Sequence, residues 1–286
     1  MTVVAAGTVE PSTIAPRSKR WRRGWLLELV GMLAMYELYD VGRDKAIGTT
    51  AAAFAHARDI IAAERWLGIY VERSVQQAFL NLDWFITFWN IYYGTIHFVF
   101  PVITLVWMYR KAPARYVRWR NTLVAMWTIA VVTFLVYPLM PPRLMPPRYG
   151  YVDTAARYYN FGPQVKVEYG SDGQPTQRAL AQYGNPFAAM PSFHVGWSSW
   201  CLLGLWPLAR RRRWLKGVLV AYVLGVIFCI TVTANHWLLD AVGGWLVLAL
   251  GYATAVVVER VGGAIREARG AGSTARARAT AADAAG

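Results

Sequence analysis

His236 and Asp240 stand four residues apart in "NHWLLD", a spacing that is one turn of an α-helix. On such a turn the carboxylate can accept from one imidazole nitrogen and leave the other free to act as a nucleophile or base. An orienting acid behind a histidine follows the logic of the hydrolase triads, although the same pair can also do no more than satisfy itself near an interface. His194, in "PSFH", is a second histidine at the mouth of an apolar stretch, and the chain has only four in all, the others being His56 and His97. A third element is "YPLMPPRLMPPRYG", where prolines hold an irregular backbone and Arg143 and Arg148 supply two permanent cations. Guanidinium reads phosphate oxygens by paired hydrogen bonds, and interfacial arginine also touches lipid headgroups. Nucleophilic and acid–base chemistry on a phosphate at a membrane surface is what these residue types can do together.

The elements that must position them are apolar. The 286-residue chain is 56% hydrophobic, carries 14 Trp and is only 16% charged. That composition predicts an integral membrane protein. A bilayer core takes roughly 20 apolar residues per helix. Segments near 24–42, 84–109, 120–139, 191–208, 215–234 and 237–258 meet that length, so the expected architecture is all-α, a bundle of six transmembrane helices. The first carries Glu28, Glu37 and Asp40, carboxylates that should face the bundle. The formal charge of +14 falls in short clusters between apolar blocks, not on one face or groove, which argues against nucleic acid. With six crossings "RSKRWRR", "RKAPARYVRWR", "RRRRWLK" and the Arg-rich end all share one side, so both termini are expected in the cytoplasm. Residues 43–83, the loop 140–190 and the turn near Asn235 then lie on the outer side.

Four regions follow: a flexible basic N-terminus at 1–23, the first span with amphipathic outer helices at 24–83, a membrane core at 84–258, and a flexible basic tail at 259–286. Between the first two spans, the helical spacing of Ile61, Trp66 and Leu67 suggests helices lying on the membrane or under the outer loop. In that loop "VKVEYGSDGQPTQRALAQYG" reads as a hairpin turning at "SDGQ", placed to serve as a lid over the site. His97 reads as a core histidine bonded to a neighbouring Tyr or Glu, with an accessory role as the alternative, and His56 as solvated. Glu64 and Glu72, eight residues apart, read as a solvated helical face. The tryptophans fit interfacial belts and bundle packing. Cys201 and Cys229 read as small buried hydrophobes outside any disulfide framework.

"PSFH" at 191–194 and "NHWLLDAVGG" at 235–244, separated by one cytoplasmic hairpin, resemble the type 2 phosphatidic acid phosphatase superfamily. Preceded by "YPLMPPRL", the set is more similar to the inositol phosphorylceramide synthase-like branch than to ordinary lipid phosphatases. The resemblance covers roughly residues 84–258. It implies that His236, oriented by Asp240, attacks phosphorus to form a phosphohistidine, and that His194 protonates the departing oxygen. Ser192, Arg143 and Arg148 would bind the phosphate, with no cofactor and no metal. The chain also departs from the pattern. The Ser-Arg pair of the family's third motif falls on Cys229 and Ile230, which cannot bind phosphate, and Arg143 is followed by Leu144 where the first motif has Arg-Pro.

The implied substrate is a phospholipid or a polyprenyl phosphate in the plasma membrane. Water as acceptor would make the protein a phosphatase, and an alcohol a phosphotransferase, for instance of inositol phosphate. A non-catalytic lipid transporter or scaffold on the same frame is the alternative of a different class.

Overall fold

The computed structural model describes residues 24–155, 165–171, 173, 175–181 and 184–283, with the side chains of 165–167, 175–181 and 270–283 left aside. The basic cluster before the first apolar segment lies outside the described residues. The chain divides into two compact units, residues 1–38 and 39–286. The helix α1, Trp25–Lys45, begins in the first and ends in the second.

Two short helices follow, α2 (Thr50–Trp66) and α3 (Glu72–Phe79). Thr49 caps α2 by accepting from the Ala52 amide at 3.2 Å. Ala53, Phe54, Ala57, Ile60, Ile61 and Glu64 form its buried stripe, at helical spacing. This stripe packs with Leu139, Met140, Leu144, Met145, Tyr151, Phe187 and Trp237 in one core cluster. Of the three residues expected to mark the apolar face, Ile61 is buried, whereas Trp66 and Leu67 are exposed, because α2 ends at that point. The helix therefore lies under the loop.

Among the described residues four helices are long and apolar enough to cross a membrane: α4 (Asp83–Lys111), α5 (Pro113–Val136), α7 (Arg213–Val232) and α8 (Leu238–Asp283). Outward-facing Val102, Ile103, Val106, Leu224, Leu246 and Leu250 give these helices apolar exteriors. α1 does not meet the same measure, being interrupted by Glu28, Glu37, Asp40 and Arg43. Neither does α6 (Phe193–Leu205), which has 13 residues and is buried among its neighbours. α8 continues to Asp283, through the Arg-rich end.

α8 packs against α5 and α6, at two glycines. A Cβ on Gly244 would collide with the Ser192 carbonyl, and one on Gly251 would stand 2.8 Å from Met126 Cγ and 3.0 Å from the Thr122 carbonyl. Glycine is what lets these backbones meet. At one end of the bundle Arg118 pairs with Glu259 at 2.7 Å, and Arg115 reaches the Gly204 carbonyl at 3.4 Å. The other end carries α2, α3 and the loop that begins at Tyr137.

The loop is anchored at several of its described residues. Leu139 bridges Ala188 in parallel, with its amide on the Phe187 carbonyl at 2.8 Å. Gln76 bonds both backbone groups of Val152, and Tyr169 donates to the Leu144 carbonyl. The expected hairpin is present: β1 (Val165–Tyr169) pairs antiparallel with β2 (Pro175–Ala181), in the register Val165 to Ala181 and Tyr169 to Pro175.

Candidate active site

α7 ends at Val232, and Ala234 turns the chain with φ 53°, in the left-handed region. The Asn235 amide returns to the Ile230 carbonyl at 3.0 Å, and α8 starts at Leu238. His236 is thus held in the gap between two helices, where no regular ladder fixes it. Side chains and loop carbonyls fix it instead. Its Nδ1 lies 2.8 Å from the Ala189 carbonyl and 3.2 Å from Asp240 Oδ2. Both partners accept, so Nδ1 carries the proton and Nε2 keeps its lone pair. Asp240 Oδ2 also accepts from the Trp237 amide at 2.9 Å, which fixes the carboxylate as well as the ring. The four-residue spacing becomes this pair although only Asp240 lies in the first turn of α8: His236 stands two residues before the helix, and the carboxylate reaches back past the Trp237 amide to meet it.

α6 brings the second histidine. Ser192 precedes it, and the Ser192 amide donates to the Asp240 carbonyl at 2.9 Å, tying the start of α6 to the first turn of α8. His194 then stands with its ring centre 5.5 Å from that of His236. Ser192 Oγ, His194 Nε2, Asp240 Oδ1 and Arg143 Nε are buried with no hydrogen-bond partner among the described residues. Buried polar atoms are ordinarily satisfied, so four such atoms on residues whose backbones or rings meet the segment 234–240 mark a place where a polar group is received.

Arg143 comes from the proline-held loop, where its amide donates to the Ala234 carbonyl at 2.9 Å, two residues before His236. Its Nη1 pairs with Asp153 Oδ2 at 2.9 Å. Arg148 is exposed, with its guanidinium 5.9 Å over Phe54 and 5.5 Å over Tyr149. Of the two arginines, Arg143 is the one whose backbone is tied to the segment bearing His236.

Some groups at this end carry more than their sequence pattern suggested. Along α4, Asn90, Tyr93, His97 and Thr104 form a polar stripe inside an apolar helix. Tyr93 stacks on His194 with centroids 3.9 Å apart, and its hydroxyl lies 3.4 Å from His236 Nε2. His97 places its ring 4.1 Å from His194 and bonds the Tyr93 backbone carbonyl, not a Tyr or Glu side chain, through Nδ1 at 2.6 Å. The four-residue step in "YYGTIH" was the signal that could have joined them. His56, read as solvated, is half-buried: it stacks on Tyr137 at 4.1 Å, and its Nδ1 meets the Pro138 carbonyl at 2.7 Å.

Glu64 and Glu72 form no solvated face. The turn after Trp66 puts them on different helices, and both are fully buried. Glu72 Oε1 accepts from the Leu238 amide at 2.9 Å and Glu64 Oε1 from the Leu239 amide at 2.8 Å. With Asp240 on the Trp237 amide, three carboxyl groups satisfy three successive N–H groups at the start of α8. Burial, then the adjacent Glu72, push Glu64 up to about 9, so it carries a proton at neutral pH. No group of three or more His, Cys, Asp or Glu suited to a metal ion occurs among the described residues.

A family model described as "PAP2 superfamily" matches residues 58–254. No curated protein and no solved structure matches the chain.

Proposed function

Since the chain belongs to the PAP2 superfamily, whose membership points to phosphatase or phosphotransferase chemistry, we propose that it cleaves a lipid phosphate through a phosphohistidine on His236. The observation that carries this reading is the orientation of His236. Its Nδ1 is held by Asp240 and Ala189, while Nε2 meets the hydroxyl of Tyr93, the ring stacked on His194. Nε2 attacks phosphorus, the bond from phosphorus to the leaving oxygen breaks, and that oxygen takes its proton from His194. In the second half, water or an alcohol gives its proton to His194 and attacks phosphorus, and the P–N bond breaks to restore His236. Asp240 stabilises the charge on the ring in between. Ser192, Arg143 and the amides at the start of α6 offer donors to the phosphoryl oxygens, with Arg148 at the rim of the loop. The chemistry needs neither a metal nor a cofactor.

The substrate class is a phospholipid or polyprenyl phosphate. Its headgroup meets the histidines at the end of the bundle covered by α2, α3 and the loop, and its chains stay in the bilayer. That end faces away from the cytoplasm when the basic clusters lie inside, with six crossings counting α1 and α6, both termini cytoplasmic and the plasma membrane as host. The "PPRL" resemblance favours transfer of a phosphorylated headgroup such as inositol phosphate over hydrolysis. One observation favours a second reading, a lipid transporter or scaffold: Ile230, standing where the family has an arginine, is fully buried in an apolar cluster with Val195 and Val226.

The test is turnover by purified protein in detergent, offered phosphatidic acid, a polyprenyl phosphate and phosphatidylinositol, with His236→Ala beside the wild type. The expected loss in kcat is roughly a thousandfold or more. Free phosphate made by the wild type identifies a phosphatase, and a new headgroup-bearing lipid a transferase. Equal activity in both proteins, or silence from both on every substrate, overturns the catalytic reading.

A further inference from the structure

The lone pair of His236 Nε2 is already engaged by a group that the family motifs do not contain. The Tyr93 hydroxyl lies 3.4 Å from Nε2. Because both Nδ1 partners are acceptors, the hydroxyl is the donor in this contact. The tyrosine is not free to wander. Its ring is stacked on His194 with an interplanar angle of 16°, and its own carbonyl holds His97, whose ring packs on the other histidine. A phosphorus atom bonding to Nε2 must take the direction of that lone pair, and the hydroxyl must then give it up. The first acceptors it meets are the oxygens of the phosphoryl group, which stand about 1.5 Å from the phosphorus and gather charge as the P–N bond forms.

We propose that Tyr93 is a catalytic residue of this site, whose hydroxyl passes from His236 Nε2 to a phosphoryl oxygen as the phosphohistidine forms. The inference rests on the phosphohistidine reading above. The phenol keeps its proton and remains a donor throughout the step: the electron pair of Nε2 makes the P–N bond, and the departing oxygen leaves with the electrons of the broken P–O bond and takes the one proton that moves, from His194. The exchange suits this chain in particular. Ile230 offers no donor, and its apolar cluster has Tyr92 and Tyr93 packed against it, so a hydroxyl from α4 supplies polarity on a side where α7 supplies none. Nε2 of the buried His236 is thereby capped until a substrate displaces the cap.

Tyr93→Phe tests this, since it keeps the ring on His194 and removes only the oxygen. Expected is a fall in kcat of about a hundredfold with little change in KM, and a parallel weakening of inhibition by orthovanadate, whose five-coordinate adduct mimics the transferring phosphoryl group. Tyr92→Phe, which alters the neighbouring ring turned toward Phe88 and Trp89, is expected to leave both unchanged. Wild-type kcat and vanadate inhibition in Tyr93→Phe would show a packing role alone, and a faster enzyme would show a mere obstruction; either overturns the proposal. An equal loss in Tyr92→Phe would also overturn it, by tracing the effect to packing of α4. An inactive wild type would instead remove the phosphohistidine reading, and this inference with it.

Discussion

At His236 the two acceptors on Nδ1 divide the work of orientation. The Ala189 carbonyl is the closer, at 2.8 Å against 3.2 Å for Asp240 Oδ2, so the tautomer survives without the acid. What Asp240 alone brings is negative charge behind a ring that becomes positive in the transition state. Asp240→Asn is therefore expected to lower kcat by roughly a hundredfold, less than loss of both orientation and charge would cost. Single-turnover formation of the phosphoenzyme checks it. A variant as fast as the wild type would mean that the Ala189 carbonyl suffices. The spacing of this pair was legible in "HWLLD", whereas the carbonyl was not, because Ala189 lies 47 residues away and any residue type presents the same acceptor.

At the scale of elements, the first turn of α8 is held by acids from two other helices. Glu64 and Glu72 each take one amide, and Asp240 takes a third. Crowding Glu72 and Asp240 around a buried Glu64 is tolerable because Glu64 keeps its proton, up to about 9. A carboxyl that holds a proton in the folded state and loses it at about 4.3 when unfolded binds more protons folded than unfolded across that interval. Its contribution to stability is therefore full below the unfolded value, falls as pH rises, and is lost by pH 9. Melting temperature in detergent should decline from pH 5 to 9 in the wild type, and less steeply in Glu64→Gln, which keeps a neutral acceptor for the Leu239 amide. Parallel curves for the two proteins would remove Glu64 as the source. Eight residues of separation suggested one solvated face, and the break after Trp66 makes that inference fail, since helical phase does not survive a turn.

For the whole molecule, membrane topology is the property on which the functional reading depends. Arg115, Arg118 and Glu259 gather at the end of the bundle opposite α2 and α3, and the chain's own cysteines, Cys201 and Cys229, are buried free thiols. Single exposed reporters can thus be added without background. Arg211→Cys is expected to react with an impermeant maleimide only after cells are opened, and Trp66→Cys, at a position 85% exposed, in intact cells. The reverse pattern would place the histidines on the cytoplasmic side and require a cytoplasmic substrate.

Composition and apolar run length determined that the chain is a membrane helix bundle, because burial in lipid demands many consecutive apolar residues and leaves an unmistakable record in sequence. The pairing of His236 with Asp240 was equally readable, since four residues of separation bring the two within reach, although the structure places His236 just before the helix that carries Asp240. Only the tertiary structure decided that α6 is a short buried element, that Glu64 and Glu72 are cap and proton store, and that Tyr93 and His97 stand against the histidine pair. Those facts are contacts between segments up to 175 residues apart. They depend on packing at small residues such as Gly244 and on loop carbonyls, which carry no side-chain signature to be read beforehand.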